Sequence, residues 1–282
     1  MFRIWMGLLA LVVGFAAQAQ DAGTLKKIRD SKSIALGYRV DSPPFAFRGP
    51  DGQPAGYSVD LCKRVAASVE RSLGSGPVVV KWVPLTAADR FDQVTKGTVD
   101  LECGNTSATL SRMEKFDFSN LIFVDGGAVL VLAEATIGRL SDFAGKTIAV
   151  VAGTTTEQNL KSALKEKLID AKVVTLKDEA EAMAALHAKQ TDGYAADRVK
   201  LVGMVAIAKA DTKYRLVQDE FSFEPYALMM RRDPAFRLAV NRGLSQIYRS
   251  RAIGEIYDRW LAPLGKAGPL LQMMYLLNAT PE

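Results

Sequence analysis

Two kinds of hydrophobic pattern alternate along most of this chain. Short apolar runs, such as residues 33–38 and 146–151, are typical of buried β-strands. Between such runs, apolar residues recur every three or four positions. Within residues 58–73, Val59, Cys62 and Val65 therefore share one face of a predicted helix. The alternation of strands with helices predicts an α/β fold.

The predicted elements extend over nearly the whole chain. Strands are predicted at residues 33–38, 78–83, 98–101, 146–151, 173–176, 193–196 and 214–217. Helices are predicted at residues 24–30, 58–73, 90–97, 153–167, 178–187, 198–208 and 252–260, with one more that begins at Pro234. Residues 252–260 are expected to be the last helix, and the tail after Pro263 is expected to pack along the body.

One long apolar stretch differs from the others because it is interrupted in the middle. Residues 121–132 resemble a single strand broken by Asp125 and Gly126. Glycine can absorb the dihedral change of a hinge. We therefore expect the chain to cross into a second lobe at this point.

Length and composition agree with a globular protein of more than one domain. The chain has 282 residues, of which 49% are hydrophobic and 24% are charged, and its formal net charge is +5. This length predicts roughly two domains of 100–200 residues each. Lysines and arginines are scattered among acids, which argues against a nucleic-acid-binding surface.

Residues 1–19 have the pattern of a cleavable secretory signal peptide. Arg3 supplies a positive start, residues 4–17 are almost all apolar, and Ala17-Gln18-Ala19 has the small residues of a cleavage site. The apolar run is too short for a comfortable membrane span. No cysteine follows the site to carry a lipid. We expect a mature periplasmic protein that begins near Gln20 and is not a lipoprotein.

The mature chain contains two cysteines, Cys62 and Cys103. An oxidising compartment permits a disulfide between them, from a predicted helix to the end of a predicted strand. Two buried free thiols, which pack as small apolar side chains, are the alternative. The sequence leaves this choice open.

Short polar side chains gather in the loop after the predicted strand 98–101. They are Asn105, Thr106, Ser107 and Thr109. These groups can converge on a small ligand, and Arg112 can hold a carboxylate in two parallel hydrogen bonds. The alternative is a surface loop in which Ser111 and Glu114 form a capping box for a short helix.

Two further arginines lie at the ends of predicted elements. Arg39 follows strand 33–38 and precedes a rigid loop with Pro43 and Pro44, at the sheet edge where α/β proteins bind ligands. The alternative for Arg39 is a local surface ion pair. Arg90 lies near a helix start, where the helix dipole disfavours a cation unless an anion is bound.

The second half of the chain offers groups of both signs. Gly153, Thr154 and Thr155 open a predicted helix, and free N–H groups there can bind an anion. The alternative is that threonine only caps the helix. Asp197 ends a predicted strand, so it can face an ammonium group, cap the next helix, or do both.

Several of these segments resemble the polar amino-acid family of periplasmic solute-binding proteins, closest in pattern to glutamate/aspartate-binding proteins. The segments, in order, are G-Y-S-V-D-L at residues 56–61, D-L-E-C-G-N-T-S-A-T-L-S-R-M-E-K-F-D-F-S at 100–119, G-T-T at 153–155, Y-A-A-D at 194–197 and F-E-P-Y-A-L at 223–228. The resemblance covers residues 24–264. Because separate motifs agree in their order, the resemblance is stronger than any one of them.

The resemblance implies a two-lobed α/β periplasmic-binding-protein fold with two crossing strands and a ligand cleft between the lobes. Lobe 1 would comprise residues 20–125 plus 226–282, and lobe 2 residues 126–225. Residues 223–228 would form the return crossing. The implied function is capture of a free L-amino acid by lobe closure and its delivery to an ABC transporter permease in the inner membrane. The implied protein is a monomer without a cofactor or metal.

The resemblance also implies roles for individual residues. Arg112 and the turn Gly153, Thr154 and Thr155 would bind the α-carboxylate of the ligand, and the loop residues Asn105 and Ser107 would also contact the ligand. Asp197 would pair with the α-amino group, while Arg39 and Arg90 would face the side chain. Two arginines there favour glutamate or aspartate, because an uncharged ligand would leave buried cations unpaired. Glutamine or asparagine remains an alternative.

Two positions depart from the glutamate/aspartate pattern. Ala87 stands where the family has a hydroxyl residue, and Glu179 aligns with a histidine. Both departures bear on which ligand side chain the cleft accepts. The resemblance also allows a periplasmic enzyme of the same fold that acts on a small carboxylate, with Glu179 as its acid or base. A ligand sensor that docks on a receptor is another alternative. His187, the only histidine, is expected to be a structural or surface residue.

Overall fold

A computed structural model of the protein describes residues 23–281. The predicted signal peptide, residues 1–19, lies outside the described residues. The described chain forms two five-stranded sheets covered by helices and one small three-stranded sheet. Among residues 23–281, no helix is long and apolar enough to cross a membrane.

The secondary structure of the described residues alternates as expected from the hydrophobic pattern. The strands are β1 (Ser33–Arg39), β2 (Asp41–Ser42), β3 (Ala46–Arg48), β4 (Pro54–Ala55), β5 (Val79–Leu85), β6 (Leu101–Glu102), β7 (Phe116–Asp125), β8 (Gly127–Leu132), β9 (Thr147–Val151), β10 (Lys172–Leu176), β11 (Gly193–Asp197), β12 (Tyr214–Leu216) and β13 (Glu224–Arg231). The α-helices are α1 (Thr24–Ser31), α2 (Tyr57–Leu73), α3 (Arg90–Thr95), α4 (Leu110–Met113), α5 (Thr155–Glu166), α6 (Glu179–His187), α7 (Arg198–Ile207), α8 (Pro234–Tyr248), α9 (Ala252–Trp260) and α10 (Pro269–Asn278).

The first lobe is built on a sheet with the strand order β5-β1-β6-β13-β7. Strands β5, β1 and β6 are parallel, and β13 lies antiparallel between β6 and β7. Helix α2 packs against this sheet with the predicted apolar face, since Cys62, Val65 and Val69 are fully buried in the main core. The parallel strands place Arg39 and Glu102 at one edge of the sheet.

The second lobe has the strand order β10-β9-β11-β8-β12. Strands β10, β9 and β11 are parallel, while β8 runs antiparallel to both β11 and β12. Leu160 of α5 is buried on one face of this sheet, and Leu186 of α6 and Leu201 of α7 are buried on the other. The strand β11 ends at Asp197, so this carboxylate also lies at the carboxyl end of a parallel strand.

Two adjacent chain segments connect the sheets. Strand β7 ends in the first sheet at Asp125, and β8 begins in the second sheet at Gly127, with Gly126 between them. The return segment ends at Glu224, which pairs with Asp125. The expected two-lobed α/β fold with two crossings is thus confirmed. The predicted single strand 121–132 is in fact two strands in different sheets.

A disulfide joins Cys62 of α2 to Cys103, which follows β6, and their Cα atoms are 6.1 Å apart. Of the two possibilities that the sequence left open, the structure therefore contains the disulfide. Cys103 also donates its backbone N–H to the carbonyl of Gly37 at 2.7 Å. Both links fix the start of the loop that contains Asn105 and Ser107.

The C-terminal tail contains a helix that was not predicted. Residues 252–260 are not the last helix, because α10 follows after Gly265 and Gly268. Pro269 begins α10, where its missing N–H needs no partner. Leu271 and Met274 are buried in the main core of the first lobe. The tail thus packs along the body, as expected, but as a helix.

Candidate functional site

The predicted site residues meet between the two lobes. Their contacts across the cleft include Asn105 to Asp197 at 3.2 Å, Ser107 to Thr155 at 3.4 Å, Arg39 to Glu179 at 3.5 Å and Arg90 to Gly153 at 3.4 Å. These bonds join groups of the first lobe directly to groups of the second. The structure is therefore a closed form.

Arg39 lies at the end of β1 and is only 4% exposed. Its Nη2 donates to Asp41 Oδ1 at 2.8 Å and to Glu179 Oε1 at 3.5 Å. Burial disfavours the charged guanidinium, but the Asp41 and Glu179 carboxylates outweigh burial and raise the pKa of Arg39. The local ion pair considered from sequence is thus present, although it is buried. The Nε atom of Arg39 has no partner among the described residues.

Glu179 faces the same end of the cleft from the second lobe. Tyr194 and Lys200 both donate hydrogen bonds to its carboxylate. Lys200 was not predicted as a site residue. Lys200 lies in α7, three residues after Asp197 at the N-cap position. This spacing could have revealed it, because residues three apart share a helix face.

Arg90 is the first residue of α3 and is almost fully buried. Its guanidinium donates to the hydroxyl of Thr106 at 3.2 Å and to the carbonyl oxygens of Ala87 and Gly153. Burial and repulsion from the neighbouring arginines, Arg39 and Arg112, lower the pKa of Arg90 to about 9. A bound anion would relieve this repulsion.

Glu102 is a further buried acid that the sequence analysis missed. It ends β6, next to the end of β1, so the strand-end argument used for Arg39 applies to it as well. Neither carboxylate oxygen has a hydrogen-bond partner among the described residues. Burial raises the pKa of Glu102, although the charge of Arg90 opposes the shift.

Arg112 lies in α4, on the same lobe as Arg39 and Arg90. Its Nη1 donates to the carbonyl oxygen of Ser107 at 2.7 Å, and its guanidinium carbon lies 5.1 Å from the centre of the Phe91 ring. Burial lowers the pKa of Arg112. The capping box of Ser111 and Glu114 was wrong, because Thr109 caps α4 by accepting the N–H of Arg112.

In the turn at the start of α5, one threonine caps the helix and another forms a hydrogen bond in the cleft. Thr154 caps α5 by accepting the N–H of Glu157 at 3.2 Å, so the capping alternative holds for this residue. Gly153 has a φ of +71°, which glycine adopts without strain. Thr155, in contrast, donates its hydroxyl to Glu224 at 2.7 Å.

Glu224 was also missed, and it changes how the polar loop is used. This fully buried residue of β13 accepts hydrogen bonds from Ser107, Thr155, Ser222 and Asn159. The hydroxyl hydrogens of Ser107 and Thr155, expected to face a ligand carboxylate, are thus taken by Glu224. In this closed form, Arg112 is the group at this end with a charge to offer a carboxylate.

Asp197 ends β11 in the second lobe and reaches across the cleft to Asn105 of the first lobe. Its two oxygens accept from Thr156 at 3.0 Å and from Asn105 at 3.2 Å. It occupies the N-cap position of α7, but its side chain makes no capping hydrogen bond. Burial raises the pKa of Asp197, with a further contribution from Glu224 and opposition from Lys200. A cation bound here would stabilise the carboxylate.

A second buried carboxylate lies beside Asp197. Asp125 accepts the N–H groups of Gly126 and Val199 and the hydroxyl of Tyr226. Burial and the charge of Asp197 raise the pKa of Asp125 to about 8. Asp125 and Asp197 therefore repel each other in this part of the cleft, whereas Arg90 is repelled by two neighbouring arginines.

A cavity of about 740 Å³ opens between the lobes at the end of the cleft that contains Arg112 and Glu224. Its walls include Phe91, Arg112, Thr155, Asn159 and Glu224, from both lobes. Within residues 23–281 there is no group of three or more His, Cys, Asp or Glu side chains placed to hold a metal ion. His187 is exposed and contacts Tyr214, in agreement with its expected surface position.

The chain belongs to the bacterial extracellular solute-binding proteins, family 3, which it matches over residues 34–263. It is 33% identical to the L-glutamate/L-aspartate-binding protein of Pseudomonas aeruginosa over 267 residues, which cover 92% of this chain and 88% of that protein. It is 30% identical to the glutamate/aspartate import solute-binding protein of Escherichia coli K12, with 89% and 85% covered.

A solved structure of similar fold is that of an ancestral amino acid-binding protein, AncCDT-1, described as a precursor of cyclohexadienyl dehydratase. Its TM-score is 0.71 and its sequence identity is 28%, with 84% of this chain and 99% of that chain covered.

Proposed function

We propose that this protein is the substrate-binding component of an amino-acid ABC importer. The observation that carries the proposal is the separation of charge in the cleft. The cationic Arg112 lies in the first lobe, and Asp197, a buried carboxylate whose pKa burial raises, lies in the second. A free amino acid carries a carboxylate and an ammonium group on one carbon, so it matches this arrangement. The relatives named above are amino-acid-binding proteins, and the one from Escherichia coli K12 is an import solute-binding protein.

The proposed ligand is L-glutamate or L-aspartate. Arg90 is buried beside two other arginines, and burial and their positive charges lower its pKa, although Glu102 and Asp197 act in the opposite direction. A ligand side-chain carboxylate near Arg90 would offset this repulsion. An uncharged side chain would leave the guanidinium buried and unpaired, at a cost of several kcal/mol. Both relatives named above are glutamate/aspartate-binding proteins, which supports the acidic class.

The mechanism of capture follows from the position of the site between the lobes. Arg90 and Arg112 belong to the first lobe and Asp197 to the second. A ligand that contacts both lobes binds the closed form more tightly than the open form, so it shifts the population toward closure. The closed, loaded protein would then dock on a permease at the inner membrane from the periplasm.

Calorimetric titration of the mature protein, unfolded and refolded to remove carried-over ligand, tests the proposal. We expect tight binding of L-glutamate and L-aspartate, and weaker binding of L-glutamine and L-asparagine. Arg112→Ala should abolish binding of all four, because it removes the α-carboxylate contact. Arg90→Ala should weaken the acids by about 2–5 kcal/mol, the cost of removing one partner of a buried charge pair.

The control is Arg64→Ala, which removes an exposed arginine of the same lobe that pairs with Glu255. It should leave all four affinities unchanged. Unchanged affinity in the Arg112 variant would refute the proposed site. Equal losses of acids and amides in the Arg90 variant would refute its side-chain role.

The similarity to a precursor of an enzyme favours one further candidate, turnover of a small carboxylate. The acid considered for that chemistry, Glu179, is held by Tyr194 and Lys200. Incubation of the protein with each bound ligand, followed by mass spectrometry, would detect a product. Detection of one would replace the transport proposal.

A further inference from the structure

A buried lysine and a buried glutamate of the second lobe form an ion pair at one end of the cleft. Lys200 in α7 is 4% exposed, and Glu179 at the start of α6 is 1% exposed. The ammonium group of Lys200 donates to Glu179 Oε1, and the hydroxyl of Tyr194 donates to Oε2. Lysine and glutamate are rarely buried to this extent unless they are paired.

The pair is part of a charged group that spans both lobes. Arg39 of the first lobe lies 3.5 Å from Glu179 and 2.8 Å from Asp41. Glu102 lies on the same side of the cleft as Arg39, because both side chains approach Gly104. A Cβ atom placed on that glycine would lie within about 3 Å of each of them. This is the end of the cleft that the proposed function assigns to the ligand side chain.

Lys200 adds a positive charge to an end of the cleft that is rich in carboxylates. Asp41, Glu102 and Glu179 lie here, and Asp197 acts on both Arg90 and Lys200. Without Lys200, these four carboxylates would face the guanidinium groups of Arg39 and Arg90, and an acidic side chain would enter an excess of negative charge. Lys200 reduces that excess by one charge.

We propose that Lys200 is a specificity-determining residue, whose charge offsets Glu179 and thereby keeps the side-chain end of the cleft open to an acidic ligand. The inference rests on the proposed function, because it concerns the same site. Lys200 acts from the second lobe, whereas Arg39 and Arg90 act from the first. Glu179 would then not exclude acidic ligands, even though it places a carboxylate in their pocket.

The test is a double-mutant cycle on a ratio, the dissociation constant for L-glutamine divided by the dissociation constant for L-glutamate. Lys200→Met removes the cation and should lower the ratio on the order of tenfold, as expected for one unit charge several ångströms from the ligand. Glu179→Gln removes the opposing anion and should raise the ratio by a similar factor. The double variant should return close to the wild-type ratio, since both charges are gone.

A matched control is Lys189→Met, which removes a lysine of the same lobe that pairs with Glu134 at the surface. It should not change the ratio. A ratio that stays at the wild-type value in both single variants would overturn the inference, as would equal losses of both ligands that the double variant does not reverse. Such losses would show that the pair only stabilises the lobe.

Two further outcomes keep the conclusions separate. If the Lys200→Met variant does not fold, the nearly isosteric Glu179→Gln variant still tests the inference. An unchanged ratio in that variant overturns it. If the wild-type protein binds neither ligand nor L-aspartate or L-asparagine, the proposed function fails, and the inference fails with it.

Discussion

Removal of the disulfide between Cys62 and Cys103 tests how the first lobe holds its ligand-binding loop. The two residues are 41 positions apart in the chain. A cross-link over that separation removes conformational entropy from the unfolded chain worth about 4 kcal/mol in the loop-entropy treatment. Both sulfur atoms are fully buried in the main core. Replacement of both cysteines by alanine therefore adds about 1 kcal/mol for the space left behind.

The double variant Cys62→Ala/Cys103→Ala should lose about 4–5 kcal/mol of unfolding free energy. The assay is urea unfolding followed by tryptophan fluorescence. Trp82 lies in β5 and Trp260 in α9, so both tryptophans of the described chain report on the first lobe. The reduced wild-type protein serves as the control, because it lacks the cross-link but keeps the sulfur atoms in place. It should lose about 4 kcal/mol.

Ligand affinity should fall much less than stability. The backbone N–H of Cys103 remains bonded to Gly37 of β1, which holds the start of the loop without the disulfide. We expect the dissociation constant for L-glutamate to rise less than tenfold. A stability loss below about 1 kcal/mol in the reduced protein would refute the entropy argument. A complete loss of binding by the folded double variant would refute the claim that β1 anchors the loop.

Three further predictions concern buried carboxylates. Burial opposes the charge of Asp60, but hydrogen bonds from Trp260 and Lys63 outweigh it and lower its pKa. Asp60→Asn should therefore cost about 1–3 kcal/mol in urea unfolding at pH 7. This difference is present above the unfolded-state pKa and should vanish as the pH falls through the lower folded-state pKa. Asp197→Asn should weaken acidic and neutral amino acids alike in calorimetry, and a loss limited to acids would contradict its pairing with the ammonium group. Amino-acid binding near pH 8 should release protons, because a ligand ammonium beside Asp197 lowers the pKa of Asp125. Calorimetry in buffers of different ionisation enthalpy measures this release, which Asp125→Asn should reduce.

The strands, helices and strand-end residues could be predicted because they depend on local patterns. The apolar face of α2 has helical spacing, and Arg39 and Asp197 directly follow apolar runs, so their place at the sheet edges follows from chain order alone. The helix α10 was missed for a local reason as well. Glycines and a proline precede it, and its apolar residues do not form a clear periodic stripe.

The pairings across the cleft could not be predicted in the same way. Glu224 takes the hydroxyl hydrogens of Ser107 and Thr155, which are 117 and 69 positions away in the chain. Nothing in the spacing of these residues shows that they meet. Their meeting depends on how β13 returns beside β7 and how closely the second lobe approaches. Sequence thus identified the polar groups of the cleft, but not which of them satisfy each other.

Which polar groups pair with each other matters for specificity. The charges that remain in the cleft after this internal pairing select the ligand. Arg39 alone would favour an acidic ligand, yet Asp41 and Glu179 already bind its guanidinium. Arg90 bonds only to a hydroxyl and to carbonyl oxygens. No carboxylate within residues 23–281 forms a hydrogen bond with Arg90, so its charge is more available to a ligand carboxylate than that of Arg39. In sequence the two arginines looked equivalent. Arg90→Ala should therefore reduce the preference for L-glutamate over L-glutamine more than Arg39→Ala does.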